Sequence, residues 1–226
     1  MINDFEKNIK DLLDFTSQHN VKLIAVTKTV PVEIINNAIS LGVTAIGENR
    51  VQELLEKYDK LDKNNLEIHL IGTLQSNKVK YIIDKVDLIH SVDNLKLAQT
   101  INKCAQKHEK IQDVLVQINI SGENSKSGIA PEDTEKFIKE IASLPNIRVK
   151  GLMCIPSPET YAGQNKSVFN AMKKIFIDIT NKKLDNVYMD VLSMGMSSDY
   201  ETAIECGATT IRVGTKIFGK RKYTEV

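Results

Sequence analysis

The sequence predicts an α/β protein folded as a single closed (β/α)₈ barrel of the TIM type, with one extra helix at its N-terminus. Short runs of β-branched and apolar residues alternate with segments of helical spacing, which is typical of parallel strands joined by right-handed crossovers. The alternation gives eight strands within 226 residues, a suitable length for such a barrel. No G-x-G-x-x-G motif follows the first strand, which disfavours the alternative of an open doubly wound sheet.

The elements follow in order along the chain. The opening helix is indicated by apolar residues at helical spacing, namely Phe5, Ile9, Leu12 and Leu13. The run "KLIAVT" at 22–27 is the first strand, and a helix at 32–41 follows with Pro31 near its start and Gly42 after its end. Similar runs predict strands at 44–46, 67–71, 88–90, 113–119, 148–153, 188–193 and 210–213. The segments between them predict helices at 49–58, 77–84, 95–107, 131–143, 167–184 and 198–206.

Neither a linker nor a low-complexity run divides the chain, so we expect one domain over residues 1–226. The opening helix has no place in the eightfold count, and we expect it to cap the bottom of the barrel.

The composition excludes several classes of function. The net charge is +1, and neither a strong basic field nor a long apolar stretch is present, so we expect no nucleic-acid or membrane partner. The three cysteines have neither metal-ligand nor redox spacing, which indicates reduced thiols and a cytoplasmic protein. The N-terminal segment mixes charges with apolar residues and is not a signal peptide.

Polar, glycine-punctuated loops follow the predicted strands, at the end where such barrels bind ligands, whereas opposite connections such as "LPN" and "ECGA" are short and plain. Lys28 follows strand 1 and is either the first solvated residue after a buried strand or a chemical group at the mouth of the fold. Asn49, in "GENR", follows strand 2. We interpret His69 and His90 as core histidines rather than bases, and Lys126, in the loop after strand 5, as a solvated residue.

The loops after strands 7 and 8 are the ones that often bind phosphate in these barrels. "MSSD" supplies the hydroxyls of Ser197 and Ser198, and Gly214 and Thr215 follow strand 8. Alternatively, one serine is only a helix cap and Gly214 only a turn residue. Arg212 lies within "TTIRVG", a strand that should be buried, so it either pairs with a structural acid or faces a ligand.

A lysine, a phosphate site and a buried arginine at one mouth together suggest pyridoxal 5′-phosphate, which carries an aldehyde, a phosphate and a ring nitrogen. Strands 1 and 8 are neighbours because the barrel closes. Lys28 in a partly apolar pocket would be favoured as the neutral amine, which assists Schiff-base formation. Arg212 opposite the ring nitrogen would act only as a donor and would leave the pyridine unprotonated, a weaker electron sink.

The sequence resembles the pyridoxal phosphate homeostasis proteins, which have the alanine-racemase N-terminal barrel fold. The stretches that carry the resemblance are "LIAVTKTVP", "IGENRVQE", "HLIGTLQSNKVK", "HSVD", "KSGI", "GLMCIP", "LSMGMSSDYETAIECGAT" and "IRVGTKIFGKR". The resemblance implies a Schiff base on Lys28, with Asn49 near the cofactor and Arg212 near the ring nitrogen. It places three residues around the phosphate, namely Ser197, Gly214 and Thr215. Ser198 is commonly alanine in the family, which favours Ser197 as the phosphate ligand.

Two classes of function fit these residues, a cofactor carrier and an amino-acid racemase or related pyridoxal phosphate enzyme. Racemisation needs a second acid/base on the opposite face of the substrate. In racemases with a similar barrel, a tyrosine from an additional β-domain of the partner subunit fills that role, and we expect no such domain because the chain ends at Val226, soon after strand 8. We therefore expect a non-enzymatic protein that binds, buffers and delivers the cofactor, with apo-enzymes as its recipients. A phosphosugar-binding barrel enzyme is a more distant alternative.

Overall fold

The computed structural model describes residues 4–122, 127–156 and 165–219. Its eight parallel strands, β1 to β8, form a closed barrel in sequence order, and β8 pairs with β1. The strands are Lys22–Val26, Ala45–Glu48, Glu67–Leu70, Leu88–Val92, Gln112–Gln117, Ile147–Met153, Val187–Ser193 and Thr210–Val213. The helices, α1 to α8, are Asp4–Gln18, Val32–Ser40, Val51–Tyr58, Leu95–Lys107, Thr134–Ala142, Asn165–Asn181, Tyr200–Glu205 and Thr215–Phe218. The predicted fold class is confirmed.

The apolar core has two parts because successive side chains of a strand point to opposite faces. The larger part lies between the sheet and the surrounding helices, with residues such as Ile46, Val114 and Leu152 fully buried. A small cluster of Leu88, Leu115 and Met153, with Val191 packed against it, lies on the inner face of the same strands.

Several predicted boundaries differ from the observed ones. Strand β2 continues to Glu48, so this residue belongs to the strand and not to the loop that follows. The helix predicted at 77–84 is a 3₁₀ helix at Ser76–Tyr81. The helix predicted at 131–143 begins with a 3₁₀ turn at Pro131–Asp133 before α5. Strand β8 is followed by the unpredicted single-turn helix α8.

Helix α1 packs along the outside of the barrel against β1 and α8. The rings of Phe5 and Phe218 lie 6.0 Å apart between α1 and α8, and Phe15 meets the ring of Tyr200 edge-on at 5.7 Å. The helix therefore covers the side of the barrel where α8 is only one turn long. Only its last turn, through Thr16, reaches the cavity at the bottom rim, where we had expected the whole helix to cap the barrel.

Within the described ranges, every helix is too short or too polar to cross a lipid bilayer.

Candidate functional site

The carboxyl ends of β1 and β8 bring the predicted site residues to one mouth of the barrel. Ala25 of β1 pairs with Val213 of β8, so Lys28 and Gly214, which come shortly after these two residues, leave the barrel side by side. A Cβ on Gly214 would lie 3.3 Å from the Cβ of Val26, which is tighter than ordinary contact. The absence of a side chain at Gly214 therefore allows the two strand exits to approach each other closely.

Lys28 lies in a tight turn whose backbone is hydrogen-bonded to two side chains of α3, an arrangement we call the clamp. Lys28 is partly buried, and the next residue, Thr29, has a positive φ of 63°. Before the lysine, the Thr27 carbonyl accepts a hydrogen bond from Lys57 Nζ at 2.8 Å. After it, the Thr29 amide donates to Glu53 Oε1. Two residues of α3 therefore fix the backbone on both sides of Lys28.

The clamp is anchored by a buried ion pair. Lys57 Nζ lies 2.8 Å from Glu48 Oε1 and 2.7 Å from Glu53 Oε1, and the Thr27 hydroxyl donates to Glu48 Oε1 at 2.7 Å. Burial raises the pKa of the Glu48 carboxyl, although its hydrogen bonds to Lys57 and Thr27 act in the opposite direction. Neither Glu48 nor Lys57 was predicted from the sequence to have a role. The available signal was Lys57 itself, which continues the i, i+3 apolar face of α3 begun by Val51 and Leu54.

The loops after β7 and β8 meet at Ser197. Its Oγ accepts hydrogen bonds from the backbone amides of Gly214 at 3.2 Å and Lys216 at 3.4 Å. Ser198 is exposed, and Thr215 is exposed between the two amides. Ser197 is thus not a helix cap, since α7 begins at Tyr200 with Asp199 before it. The hydroxyl and two amides form a group of donors that suits an oxyanion.

Arg212 is buried inside the barrel, and its partners among the described residues are two hydrogen-bond acceptors. Its Nη1 donates to Ser193 Oγ at 2.5 Å, and its Nη2 donates to the Cys154 carbonyl at 2.8 Å. Among the described residues, no carboxylate lies within ion-pair distance of it, so the alternative of a structural acid partner is wrong for this part of the chain. Burial lowers the pKa of Arg212, which is 4% exposed. Two of its five N–H donors are used by these bonds.

Asn49 contributes a buried polar atom to the mouth. Its Oδ1 has no hydrogen-bond partner among the described residues. A Cβ on Gly72 would lie 2.3 Å from the Asn49 carbonyl oxygen, so only glycine permits the end of β3 to pack this closely on the Asn49 backbone. A buried oxygen without a partner costs free energy, which is recovered when a ligand donates to it.

A cavity of about 940 Å³ opens at the opposite, N-terminal mouth. The loops there are short, as predicted, but the first residues of the strands carry charges, so this end is not plain. The charges are paired as Lys22 with Glu67 at 2.5 Å, Arg148 with Asp113 at 2.6 Å, and Lys150 with Asp190. Each of these three cations has a carboxylate partner, whereas Lys110, which also lines the cavity, donates to the backbone carbonyls of Ile83 and Val86.

His69 and His90 are buried and hydrogen-bonded, as core histidines are expected to be. Lys126 and most of the basic segment "GKRKY" lie outside the described residues.

Comparison with known proteins places these features in a family. The model of the alanine racemase N-terminal domain matches residues 2–222. A protein of Aquifex aeolicus named pyridoxal phosphate homeostasis protein is 45% identical over 202 residues, covering 89% of this chain and 88% of its own. The protein of the same name from Escherichia coli strain K12 is 39% identical over 213 residues, covering 92% of this chain and 89% of its own.

Solved structures agree with this assignment. PipY of Synechococcus elongatus PCC7942, solved with pyridoxal phosphate bound, is 33% identical with a TM-score of 0.86, covering 94% of this chain and 100% of its own. An alanine racemase of Clostridium difficile 630 shares the fold with a TM-score of 0.74 at 17% identity, covering 97% of this chain and 62% of its own. The chain therefore belongs to the alanine racemase N-terminal domain family and, within it, to the pyridoxal phosphate homeostasis proteins.

Proposed function

We propose that this protein binds pyridoxal 5′-phosphate at the C-terminal mouth of its barrel, with Lys28 as the point of attachment, and that it holds and delivers the cofactor without turning over amino acids. The name shared by relatives 39–45% identical over nearly their whole length supports this role. The observation that carries the proposal is the convergence on one mouth of a clamped lysine, a group of oxyanion donors and a buried arginine.

The residues at the mouth fit this cofactor. The unpartnered Asn49 Oδ1 is a buried acceptor, and Arg212 retains N–H donors beyond those bonded to Ser193 and Cys154. When bound, pyridoxal phosphate supplies an aldehyde that reacts reversibly with primary amines and a phosphate that anchors it. Lys57 and Glu53 fix the backbone on either side of Lys28 at the mouth, where the Lys28 amine would capture such an aldehyde and keep it from other amines.

We expect the phosphate to lie at the meeting point of the last two loops. The amides of Gly214 and Lys216, which now donate to Ser197 Oγ, can be shared with an oxyanion, and the Ser197 hydroxyl can donate to it. Thr215 adds an exposed hydroxyl beside them. Backbone donors of this kind are already oriented, so binding requires little reorganisation of the protein.

Arg212 supports a carrier rather than an enzyme. A guanidinium is a donor that practically never loses its proton in a protein, so it can hold a ring nitrogen without protonating it. An unprotonated pyridine withdraws electrons less strongly than a protonated one, which disfavours bond breaking at an amino acid. We therefore expect enzymes that need the cofactor to be recipients of it.

The test of attachment is an absorbance spectrum of the loaded protein before and after borohydride reduction, followed by peptide mapping. We expect the label on Lys28 and no stable label in Lys28→Ala. Lys216→Ala is the matched control, because Lys216 also follows a barrel strand at this mouth but is held 2.5 Å from the Tyr200 hydroxyl. A label on another lysine would refute the attachment site.

The test of the carrier role is transfer. Loaded protein is mixed with an apo-enzyme that requires pyridoxal phosphate, and the recovery of that enzyme is followed over time. We expect recovery from the wild type and none from borohydride-reduced protein. Racemase, transaminase or decarboxylase turnover in the ordinary range of about 1 to 1000 per second would overturn the carrier proposal.

A further inference from the structure

A continuous chain of hydrogen bonds crosses the inside of the barrel from Arg212 to the opposite rim. Arg212 Nη1 lies 2.5 Å from Ser193 Oγ, which lies 3.2 Å from His90 Nδ1. His90 Nε2 lies 3.0 Å from His69 Nδ1, and His69 Nε2 lies 3.0 Å from Glu67 Oε2. The members come from β8, β7, β4 and β3, so only closure of the barrel brings them together. Glu67 and His69 line the cavity at the N-terminal mouth.

The chemistry of the two ends gives the chain a direction. Glu67 is an ionised carboxylate, since its hydrogen bond to His69 and its contact with Lys22 lower its pKa to about 2, and it can therefore only accept. His69 Nε2 must then carry a proton. With its single ring proton held on Nε2, His69 accepts at Nδ1, and His90 Nε2 donates to it. Arg212 at the other end can only donate, so Ser193 accepts from it.

His90 completes the assignment. Burial, together with the positive charge of Arg212, holds the pKa of His90 well below its ordinary value, so this imidazole is neutral. With its Nε2 protonated, its Nδ1 must accept the proton of the Ser193 hydroxyl. Every bond then points the same way, from the guanidinium of Arg212 to the carboxylate of Glu67.

The groups around Arg212 explain why it needs this connection. The Cys154 thiol beside it has its pKa raised to about 12 by burial, so it is uncharged and compensates no positive charge. The nearby carboxylate of Asp199 accepts hydrogen bonds from the Met196 amide at 2.6 Å and from Asn165 Nδ2 at 2.7 Å. Among the described residues, neither Asp199 nor another carboxylate makes an ion pair with Arg212.

We propose that Glu67, His69, His90 and Ser193 are positioning residues of the cofactor site, forming a one-way hydrogen-bond chain that fixes the orientation of Arg212 and links it to a carboxylate at the opposite mouth. That Arg212 faces a cofactor ring rests on the proposed function. The hydrogen-bond chain itself is present in the protein without any cofactor. Because the direction is imposed by the acceptor-only carboxylate, it is lost when that group can also donate.

The substitution Glu67→Gln makes this change with almost no change in shape. A glutamine amide can accept from His69 Nε2–H or donate to an unprotonated Nε2. In the second arrangement each histidine is protonated on Nδ1, and Ser193 accepts from both His90 and Arg212. The Ser193 hydroxyl then no longer donates its proton to His90.

The experiment is ¹⁵N NMR of protein labelled at its four histidines, using long-range couplings that distinguish the two ring tautomers. The single variants His19→Gln and His108→Gln remove the signals of the exposed histidines and leave those of His69 and His90. We expect both buried rings to carry their single proton on Nε2 in the wild type. We expect Glu67→Gln to introduce the Nδ1-protonated form at both rings, and Glu135→Gln, a half-buried control on α5, to leave them unchanged.

A wild-type His90 protonated on Nδ1, or a doubly protonated His69, would overturn the proposal, and this measurement does not depend on any variant folding. Unchanged tautomers in Glu67→Gln would likewise refute the role of the carboxylate. A second readout is the absorbance band of bound pyridoxal phosphate, which we expect to shift in Glu67→Gln and not in Glu135→Gln. Failure of the wild type to bind the cofactor would refute the proposed function and leave the tautomer result standing, so the two failures are distinguishable.

Discussion

Replacing Lys57 by methionine tests whether the clamp beneath Lys28 is a buried ion pair of structural importance. The substitution removes the hydrogen bonds to the Thr27 carbonyl and to two carboxylates, and it leaves Glu48 without its cation. The Glu48 side chain is 0% exposed, so water cannot replace the lost partner. Breaking a buried pair from one side costs about 3–5 kcal/mol. In a domain of this size that loss lowers Tm by about 6–20 °C.

The pH dependence identifies the cause of the loss. Without Lys57, the pKa of Glu48 is raised further above its unfolded value of 4.5, so the folded state binds a proton more tightly than the unfolded state. The penalty is therefore small below the unfolded pKa and grows as pH rises toward the folded pKa. Between pH 5 and pH 7 this single group changes the free energy of unfolding by at most about 2.7 kcal/mol.

The assay is urea unfolding of the wild type and variants at pH 7 and pH 5. Lys139→Met is the matched control, because Lys139 forms the same i, i+4 pair with Glu135 on an exposed surface, and we expect no measurable loss from it. The double variant Lys57→Met with Glu48→Gln should recover much of the stability, since no carboxylate is then left unpaired. If Lys57→Met unfolded like Lys139→Met at both pH values, the clamp would not be the buried pair described above.

Three further outcomes are expected. Ser197→Ala and Thr215→Ala should each weaken pyridoxal phosphate binding by about ten- to a hundredfold, because a hydrogen bond to a charged group contributes about 1.5–3 kcal/mol, and pyridoxal without phosphate should bind all forms equally. The ionised Glu67 carboxylate should contribute about 1 kcal/mol of stability, an amount reduced by its 47% exposure, which the wild type loses as pH falls from 4.5 toward 2. Glu67→Gln should lack this contribution, and the urea midpoint measured as a function of acid pH tests it. Arg212→Lys should shift the absorbance of the bound cofactor, since an ammonium lacks the planar fork; an unchanged spectrum would place Arg212 away from the ring.

The barrel was predictable because each strand is a short apolar run with turn residues on both sides. The helix at Leu95–Lys107 was predicted with its observed bounds, since its apolar positions recur at helical spacing and Asn94 caps its start. The 3₁₀ form of segment 76–81 was not predicted, because Val79, Ile82 and Ile83 have the α-helical spacing i, i+3 and i+4, whereas the segment forms i, i+3 bonds such as that from the Lys78 amide to the Gln75 carbonyl.

The site was predictable only where residues follow the ends of strands. Lys28, Ser197 and Gly214 could be assigned to one mouth because parallel strands end together. The pair of Glu48 and Lys57 could not, because it depends on β2 continuing for two more residues and turning the carboxylate toward α3. The histidine chain depends on which strands face each other across the barrel, and no spacing in the sequence expresses that relation.

The two buried networks give complementary reasons why this mouth suits a carrier. The contact from Lys57 to the turn around Lys28 keeps the backbone of this turn in place, so capture of an aldehyde by Lys28 would require little ordering of the backbone. In the proposed site the cofactor ring lies beside Arg212, which donates but does not release its proton, and the Ser193 hydroxyl proton is directed toward His90 and away from the mouth. With the ring in that proposed position neither neighbour would protonate its nitrogen, and the strong electron withdrawal needed to break bonds at an amino acid would be missing. The arrangement favours reversible attachment over turnover, which is what holding and passing on a reactive aldehyde requires.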